Sequence, residues 1–138
     1  MKKLMRGISL LEVIISVLVL SIGILGMATL QLHALKSNQL ALTRTEATQY
    51  AYMINDMMRA NRNAALNGQY NIDLGETASG SSMAVQNLQH WKRVVAKLPG
   101  GDGTVSVSAG RATITIQWDS SRLSTEPASR SMILRTDL

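Results

Sequence analysis

Cysteine is absent from this chain of 138 residues, and proline occurs only twice, both times beyond residue 98. Without cysteine no disulfide can stabilise the fold, even in an oxidising compartment, and no cysteine nucleophile is present. Without proline in its first half, the chain can form one unbroken helix from Ile8 to about Ala65. Charge is scarce as well, because Glu12 is the only charged residue between Gly7 and Lys36.

A long apolar segment follows this single carboxylate. From Val13 to Leu35 there are 23 residues without a formal charge, counting histidine as neutral. As a helix this apolar segment measures about 35 Å, which is enough to cross the hydrocarbon core of a bilayer. The cations Lys2, Lys3 and Arg6 precede it. The positive-inside rule therefore places the N-terminus in the cytoplasm and everything after Leu35 on the far side of the membrane.

Three interpretations of this N-terminus are open. A secretory signal would have a shorter apolar core and a small-residue cleavage site, of which Met27-Ala28-Thr29 is a poor version. A plain membrane anchor explains the length and the cations but not Glu12, since a carboxylate costs about 3 kcal/mol or more at the bilayer centre. The third is a leader that is cut on the cytoplasmic side after Gly7, where the missing side chain lets a protease reach the backbone. This cut makes Glu12 the fifth residue of the product and accounts for all of these features.

The N-terminal residues also match a known signal. The basic leader, Gly7 and the run Ile8-Ser9-Leu10-Leu11-Glu12-Val13 closely resemble the class III signal of type IV pilins and pseudopilins, and the resemblance covers about the first 30 residues. It implies that an inner-membrane prepilin peptidase cuts after Gly7 and methylates the new amine of Ile8, and that Glu12 is the assembly glutamate. Ile8 and Ser9 depart from the phenylalanine and threonine that are usual in the family.

The chemistry of Glu12 agrees with this implication. After cleavage, Ile8 carries a free ammonium about one helical turn from Glu12. In a filament of parallel helices, the Glu12 of a neighbour can meet that ammonium where lipid or protein shields both charges, and the pair then fixes the axial register between subunits. The alternative for Glu12 is a carboxylate that snorkels to the lipid headgroups.

Hydrophobic periodicity predicts that the same helix continues beyond the membrane. Apolar residues recur at steps of three and four, while polar and charged residues take most of the other face. The apolar stripe comprises Leu40, Ala47, Tyr50, Ala51, Ile54, Met57 and Met58. An asparagine-rich stretch before Gly68 ends the helix. Inside the apolar segment, Gly23 and Gly26 serve either as small residues for close packing between membrane helices or as weak points that let the helix stretch during assembly.

The second half of the chain shows one more helix pattern and then strand patterns. Met83 to Leu98 form a second helix, which Pro99-Gly100-Gly101 ends. Alternation between Thr104 and Trp118, with a turn near Ala109-Gly110, predicts a β-hairpin, and Ser131 to Thr136 form a third strand. The apolar face of the hairpin comprises Val105, Val107, Ala112, Ile114, Ile116 and Trp118. The predicted fold class is α+β, with a long N-terminal helix packed on a small antiparallel β-sheet, which the resemblance implies as well.

These patterns divide the chain into three segments. Residues 1–7 are a cleaved leader, residues 8–35 are the transmembrane and assembly half of the long helix, and residues 36–138 are a periplasmic domain. Removal of the leader with its three cations lowers the formal net charge from +5 to +2, which is too small to indicate a nucleic-acid partner. The resemblance implies a protein that is stored in the inner membrane with its N-terminus in the cytoplasm and then enters a pilus or pseudopilus filament.

Within the family the chain is most similar to PilV-type minor pilins. The similarity rests on the helix that ends in Trp91 to Leu98, on Pro99 to Gly103 after it, and on the strand from Ile114 to Asp119. It implies a minor pilin that takes part in assembly or priming of a type IV pilus and hence in twitching motility. The implied partners are the prepilin peptidase, other major and minor pilins, the inner-membrane assembly platform and the lipid bilayer. A minor pseudopilin of a type II secretion system is the alternative, because the missing disulfide fits both.

No catalytic, cofactor or metal site is expected, and we expect neither an enzyme nor a small-molecule substrate. His33 and His90 lie far apart without a cluster of metal ligands, and no Gly-x-Ser-x-Gly motif is present. A set of basic residues has only Trp91 beside it for base stacking, which favours a solvated surface over a DNA site. These residues are Arg59, Arg62, Lys92, Arg93 and Lys97. An adhesin or DNA-binding subunit at the pilus tip stays the alternative function.

Overall fold

The computed structural model describes residues 9–121 and 129–138, so Gly7 and Ile8 lie outside the described residues. Within those ranges the chain forms three helices and three strands. They are α1 (Leu10–Ala60), α2 (Arg62–Leu66), α3 (Met83–Val95), β1 (Asp102–Ser108), β2 (Arg111–Asp119) and β3 (Ser129–Asp137). The long N-terminal helix and the antiparallel sheet confirm the predicted α+β class.

The chain divides into two compact units, Met1–Ser37 and Asn38–Leu138. The side chains of α1 are exposed from Leu10 as far as Gln39. In the second unit the helix buries an apolar stripe that consists of Ala47, Ala51, Ile54 and Met58. These four residues belong to the predicted stripe, whose other members, Leu40, Tyr50 and Met57, are half-buried. Asn55 is buried beside the stripe.

Helix α1 ends at Ala60 rather than near Ala65. Asn61 has a φ of −124° and a ψ of 52°, which lie outside the helical region, and α2 begins after it. Asparagine side chains compete with the helical backbone for hydrogen bonds, and Asn61 Nδ2 donates to the hydroxyl of the buried Tyr70 at 3.4 Å. The chain then reverses at Gly68, where a φ of 75° requires a residue without a Cβ.

Helix α3 begins with a side-chain cap, because the Val85 N–H donates to Ser82 Oγ at 3.3 Å. It ends at Val95. Beyond it, the Lys97 and Leu98 N–H groups donate to backbone oxygens three residues earlier, as in a 3₁₀ turn. On its buried face, Trp91 Nε1 donates to the Tyr50 backbone oxygen at 2.9 Å. This bond joins α3 to the half of α1 that belongs to the second unit.

The three strands form one antiparallel sheet in the order β1-β2-β3. Ala109 and Gly110 connect β1 to β2, and both have a positive φ, 49° and 78°, as a two-residue type I′ turn requires. The predicted apolar face of the hairpin is confirmed, although Val107 is only half-buried. Its buried members are Val105, Ala112, Ile114, Ile116 and Trp118. The outer edge of β1 forms a bridge with Ile72, which the sequence pattern did not indicate.

Candidate membrane and assembly site

Glu12 lies in the first turn of α1. The N–H groups of Glu12 and Val13 donate to the Ser9 backbone oxygen at 3.0 and 3.2 Å, so this turn is formed from Ser9 onward. The first backbone N–H groups of a helix have no partner within it, and the helix dipole places partial positive charge there. A carboxylate at this position therefore favours helix formation at the start of the apolar segment.

The Glu12 side chain is exposed, and it forms no ion pair with any of the described residues. Its expected partner is the amine of Ile8 in another copy. Ile8 and Gly7 lie outside the described residues. The Glu12 carboxylate is therefore accessible to a cation of another molecule. The roles of Gly7, Ile8 and Glu12 stay predictions.

The apolar segment exposes all of its large side chains. Every Leu, Ile, Val and Met between Leu10 and Leu35 is at least 49% exposed. Helix α1 is long and apolar enough to cross a membrane, by its length and composition. An apolar surface of this extent is covered in a working protein, by lipid or by other protein. Leu10 to Leu35 is therefore the part of the described chain with the clearest need for a partner.

Hydroxyl groups inside the apolar segment satisfy their hydrogen bonds within the helix. Ser16 Oγ donates to the Glu12 backbone oxygen at 2.7 Å, and Ser21 Oγ donates to the Val17 oxygen at 2.7 Å. Thr29 repeats this bond four residues back along the helix, at 3.0 Å. Because hydrocarbon supplies no hydrogen-bond partners, these bonds make the segment compatible with lipid. Hydrophobic periodicity does not predict these bonds, although Ser and Thr in any helix can make them.

Gly23 and Gly26 lie within the continuous helix α1. A Cβ added at either position would have no other heavy atom within 4 Å, apart from the helix's own nearby backbone. No close approach within the described chain therefore requires glycine at these positions. Both of the predicted roles, packing between helices and weakening of the helix, stay open.

In the described part of the second unit, an electrostatic cluster surrounds Asp102. Lys92 Nζ donates to Asp102 Oδ1 at 2.7 Å and to the Asp73 backbone oxygen at 2.8 Å, and the Gly75 and Gly103 N–H groups donate to the same carboxylate. Partial burial of Asp102 opposes its ionisation, but these hydrogen bonds and the charge of Lys92 outweigh it and lower the pKa of the Asp102 carboxyl. The cluster ties α3, β1 and the loop before α3 together.

The basic residues do not form one free patch. Lys92 is held by Asp102, Arg62 Nη2 donates to the Leu138 oxygen at 2.9 Å, and Arg59 Nη2 lies 3.5 Å from Thr136 Oγ1. These contacts give three of the five cations a role in holding the fold. His33 and His90 are exposed, and no group of three or more metal-ligating side chains occurs among the described residues.

Comparisons of the chain with protein-family models, with curated proteins and with solved structures found no match. The class that the chain's own residues define is an α+β protein with one N-terminal helix suited to a membrane. A more specific assignment depends only on the resemblance of its first 30 residues to the signal of type IV pilins.

Proposed function

We propose that this chain is a minor subunit of a type IV pilus-like filament that takes part in assembly or priming. The observation that carries the proposal is the exposed carboxylate of Glu12, which begins a helix of exposed apolar side chains. A charge placed there disfavours membrane residence. In the filament, the Glu12 carboxylate would form an ion pair with a cation of a neighbouring subunit, shielded from water.

In the proposed mechanism, the chain inserts with its basic leader in the cytoplasm and its second unit in the periplasm. The prepilin peptidase removes residues 1–7 and methylates Ile8. The assembly platform then moves the apolar segment from lipid into a bundle of parallel helices. There the Ile8 ammonium of one subunit meets the Glu12 carboxylate of its neighbour, and a mispaired register leaves both charges without partners.

The processing step is tested by the intact mass of the protein extracted from membranes. We expect the loss of residues 1–7 and the gain of one methyl group on Ile8. Replacing Gly7 with a bulky residue should leave the precursor uncut in the membrane, because the protease can no longer approach the backbone closely. A product that begins near Thr29, or a wild-type chain that stays uncut, would contradict the proposal.

The assembly step is tested by the amount of protein in sheared filaments relative to membranes. Glu12→Ala should insert and be cleaved normally yet fail to enter filaments, and Glu12→Gln should show a milder defect because it keeps the shape and the hydrogen bonding. Asp56→Ala is the matched control, since Asp56 is an exposed carboxylate on the same helix outside the apolar segment. An unchanged ratio for Glu12→Ala would assign Glu12 to the lipid headgroups instead.

The type of machine is tested by deleting the protein and measuring two processes. Loss of twitching motility with normal secretion is the result expected of a pilus subunit. Loss of protein secretion with normal motility would identify a secretion pseudopilin. Loss of neither process would contradict both.

A further inference from the structure

A cavity of about 190 Å³ lies within the second unit, between α1 and the strands β2 and β3. Among the described residues, its lining consists of Leu40, Arg44, Trp118, Arg130 and Ser131. A water molecule takes up about 30 Å³ in the liquid, so the cavity has room for about six water molecules. Its volume therefore suits a small polar group, such as a phosphate with its oxygens.

The charge of this lining is positive. It contains two guanidinium groups, and no carboxylate lines the cavity among the described residues. The Arg44 side chain forms no hydrogen bond or ion pair within the described part of the chain. Arg130 Nε donates to the Oγ of the buried Ser120 at 3.2 Å, which holds this guanidinium at the cavity. Guanidinium groups match phosphate oxygens with paired hydrogen bonds, so the lining favours an anion of this type.

Trp118 adds an unpaired donor to the lining. It is 5% exposed, and its buried Nε1 has no hydrogen-bond acceptor among the described residues. Trp91 differs in this respect, because its Nε1 donates to the Tyr50 backbone oxygen at 2.9 Å. A buried N–H without an acceptor is unfavourable and uncommon. Its presence in the lining favours a ligand that brings an oxygen.

The chain keeps the cavity close to the end of the apolar segment. Leu40 is the fifth residue after Leu35, the last residue of the uncharged run. Five residues span at most about 18 Å in any conformation. Arg44 follows Leu40 by about one helical turn, and its side chain leans toward Leu40 because side chains in an α-helix lean toward the N-terminus. A bilayer around the apolar segment therefore has its headgroups near the cavity.

We propose that this cavity binds a phosphate group, and that the phosphate belongs to an anionic phospholipid of the bilayer around the apolar segment. The phosphate oxygens accept hydrogen bonds from Arg44 and Arg130, and Leu40 offers an apolar contact to the lipid beside them. The proposal requires only that the apolar segment lies in a membrane. It does not rest on the proposed filament function, and a chain that forms no filament can still bind the lipid.

The test uses the full chain in micelles of a maltoside detergent, which contain no phosphate. Phosphatidylglycerol, phosphatidylcholine and inorganic phosphate are added in separate titrations, and the indole N–H signals of the two tryptophans are followed by NMR. Trp91→Phe assigns the signals. We expect the Trp118 signal to shift and saturate at the lowest concentration with phosphatidylglycerol, because the Trp118 ring lines the cavity. Phosphatidylcholine should bind more weakly, since its choline cation offsets the charge that the arginines attract.

A charge variant tests whether the cavity itself binds the lipid. Arg44→Gln removes a charged donor and should raise the Kd for phosphatidylglycerol about tenfold. Arg93→Gln is the matched control, because Arg93 is an exposed arginine of the same unit that does not line the cavity. It should bind the lipid as the wild type does. An unchanged Trp91 signal confirms that Arg44→Gln stays folded.

Three results would overturn the proposal. The first is a Trp118 signal that does not shift and saturate with phosphatidylglycerol. The second is an equal or stronger response to inorganic phosphate, which would identify a site for the free ion and exclude the lipid. The third is an equal loss of affinity in Arg44→Gln and Arg93→Gln, which would show a general attraction of the basic surface for anionic lipid.

Discussion

At the scale of single residues, Asp102 shows how one carboxylate holds several segments. It accepts hydrogen bonds from a side chain on α3, from the Gly75 loop and from its own strand. Its side chain is 32% exposed and that of Lys92 is only 15% exposed, so the pair is screened less than an ordinary surface ion pair. The ionised form of Asp102 is the one that these donors stabilise.

The lowered pKa of Asp102 gives a prediction for stability against pH. Because the folded-state pKa lies below the unfolded value of about 3.9, the contribution to stability is present above that value. It is lost as pH falls through the folded pKa. Asp102→Asn should therefore lower the free energy of unfolding at pH 7 by about 1 to 2 kcal/mol and flatten its acid dependence. Urea unfolding at pH 7 and below pH 4 measures both effects.

Asp137→Asn is the control for Asp102→Asn. Asp137 pairs with Arg111 at 3.1 Å, but their side chains are 80% and 66% exposed. Its replacement should change the free energy of unfolding by less than about 0.5 kcal/mol. Equal effects of the two substitutions would show that the Lys92 and backbone contacts of Asp102 contribute little.

Ala109 is a second residue whose conformation predicts a measurable effect. Its φ of 49° lies in the left-handed region, where a Cβ is disfavoured and asparagine or glycine is preferred. Ala109→Asn should raise the free energy of unfolding by about 0.5 to 1 kcal/mol, seen as a higher thermal midpoint. Gly110→Ala, at a φ of 78°, should lower it. A lower midpoint for Ala109→Asn would contradict the type I′ assignment of this turn.

At the scale of helices and strands, hydrophobic periodicity was sufficient to predict the elements that bury one face. The alternation of Ile114, Ile116 and Trp118 predicted the buried face of β2, and the uncharged run predicted the exposed apolar half of α1. Contacts between distant residues could not be predicted this way. The bond from Trp91 to Tyr50 joins residues 41 positions apart. The bridge at Ile72 involves a short extended stretch without strand periodicity.

In the candidate site, the sequence predicted the apolar helix, which the structure contains, and a role for Glu12, which stays a prediction. Glu12 and the apolar segment stand out because a charge beside an uncharged run is unusual in itself. The hydroxyl bonds of Ser16 and Ser21 depend on helix geometry and not on composition. The order of the strands in the sheet also depends on contacts between strands, which the periodicity of a single strand does not predict.

Packing between α3 and β1 requires glycine at position 103. A Cβ on Gly103 would lie 2.5 Å from Cη2 of the buried Trp91 ring, closer than real Cβ contacts. Gly103→Ala should therefore lower the free energy of unfolding by about 1 to 3 kcal/mol through overpacking. Phenylalanine lacks the outer ring atoms of tryptophan, so Trp91→Phe should relieve part of this clash. A double-mutant cycle measures the relief, and purely additive losses would contradict the proposed contact.

At the scale of the whole molecule, the two units differ in how they treat apolar side chains. In the described part of Met1–Ser37 the large apolar side chains are exposed, whereas Asn38–Leu138 holds every buried residue of the core. The second unit also contains the described ion pairs and the complete sheet. Its stability therefore arises from contacts that do not involve the apolar segment.

A fragment that begins at Asn38 should accordingly fold without the apolar segment. We expect a single cooperative urea transition, with a midpoint close to that of the second unit in the detergent-solubilised full chain. Trp118 is 5% exposed, so Trp118→Ala should lower the free energy of unfolding by about 3 to 5 kcal/mol in both forms. Equal losses would place the energetic core within the second unit, because the substitution then has the same consequence with or without residues 1–37. A fragment without cooperative unfolding would instead show that the first unit contributes to the fold of the second.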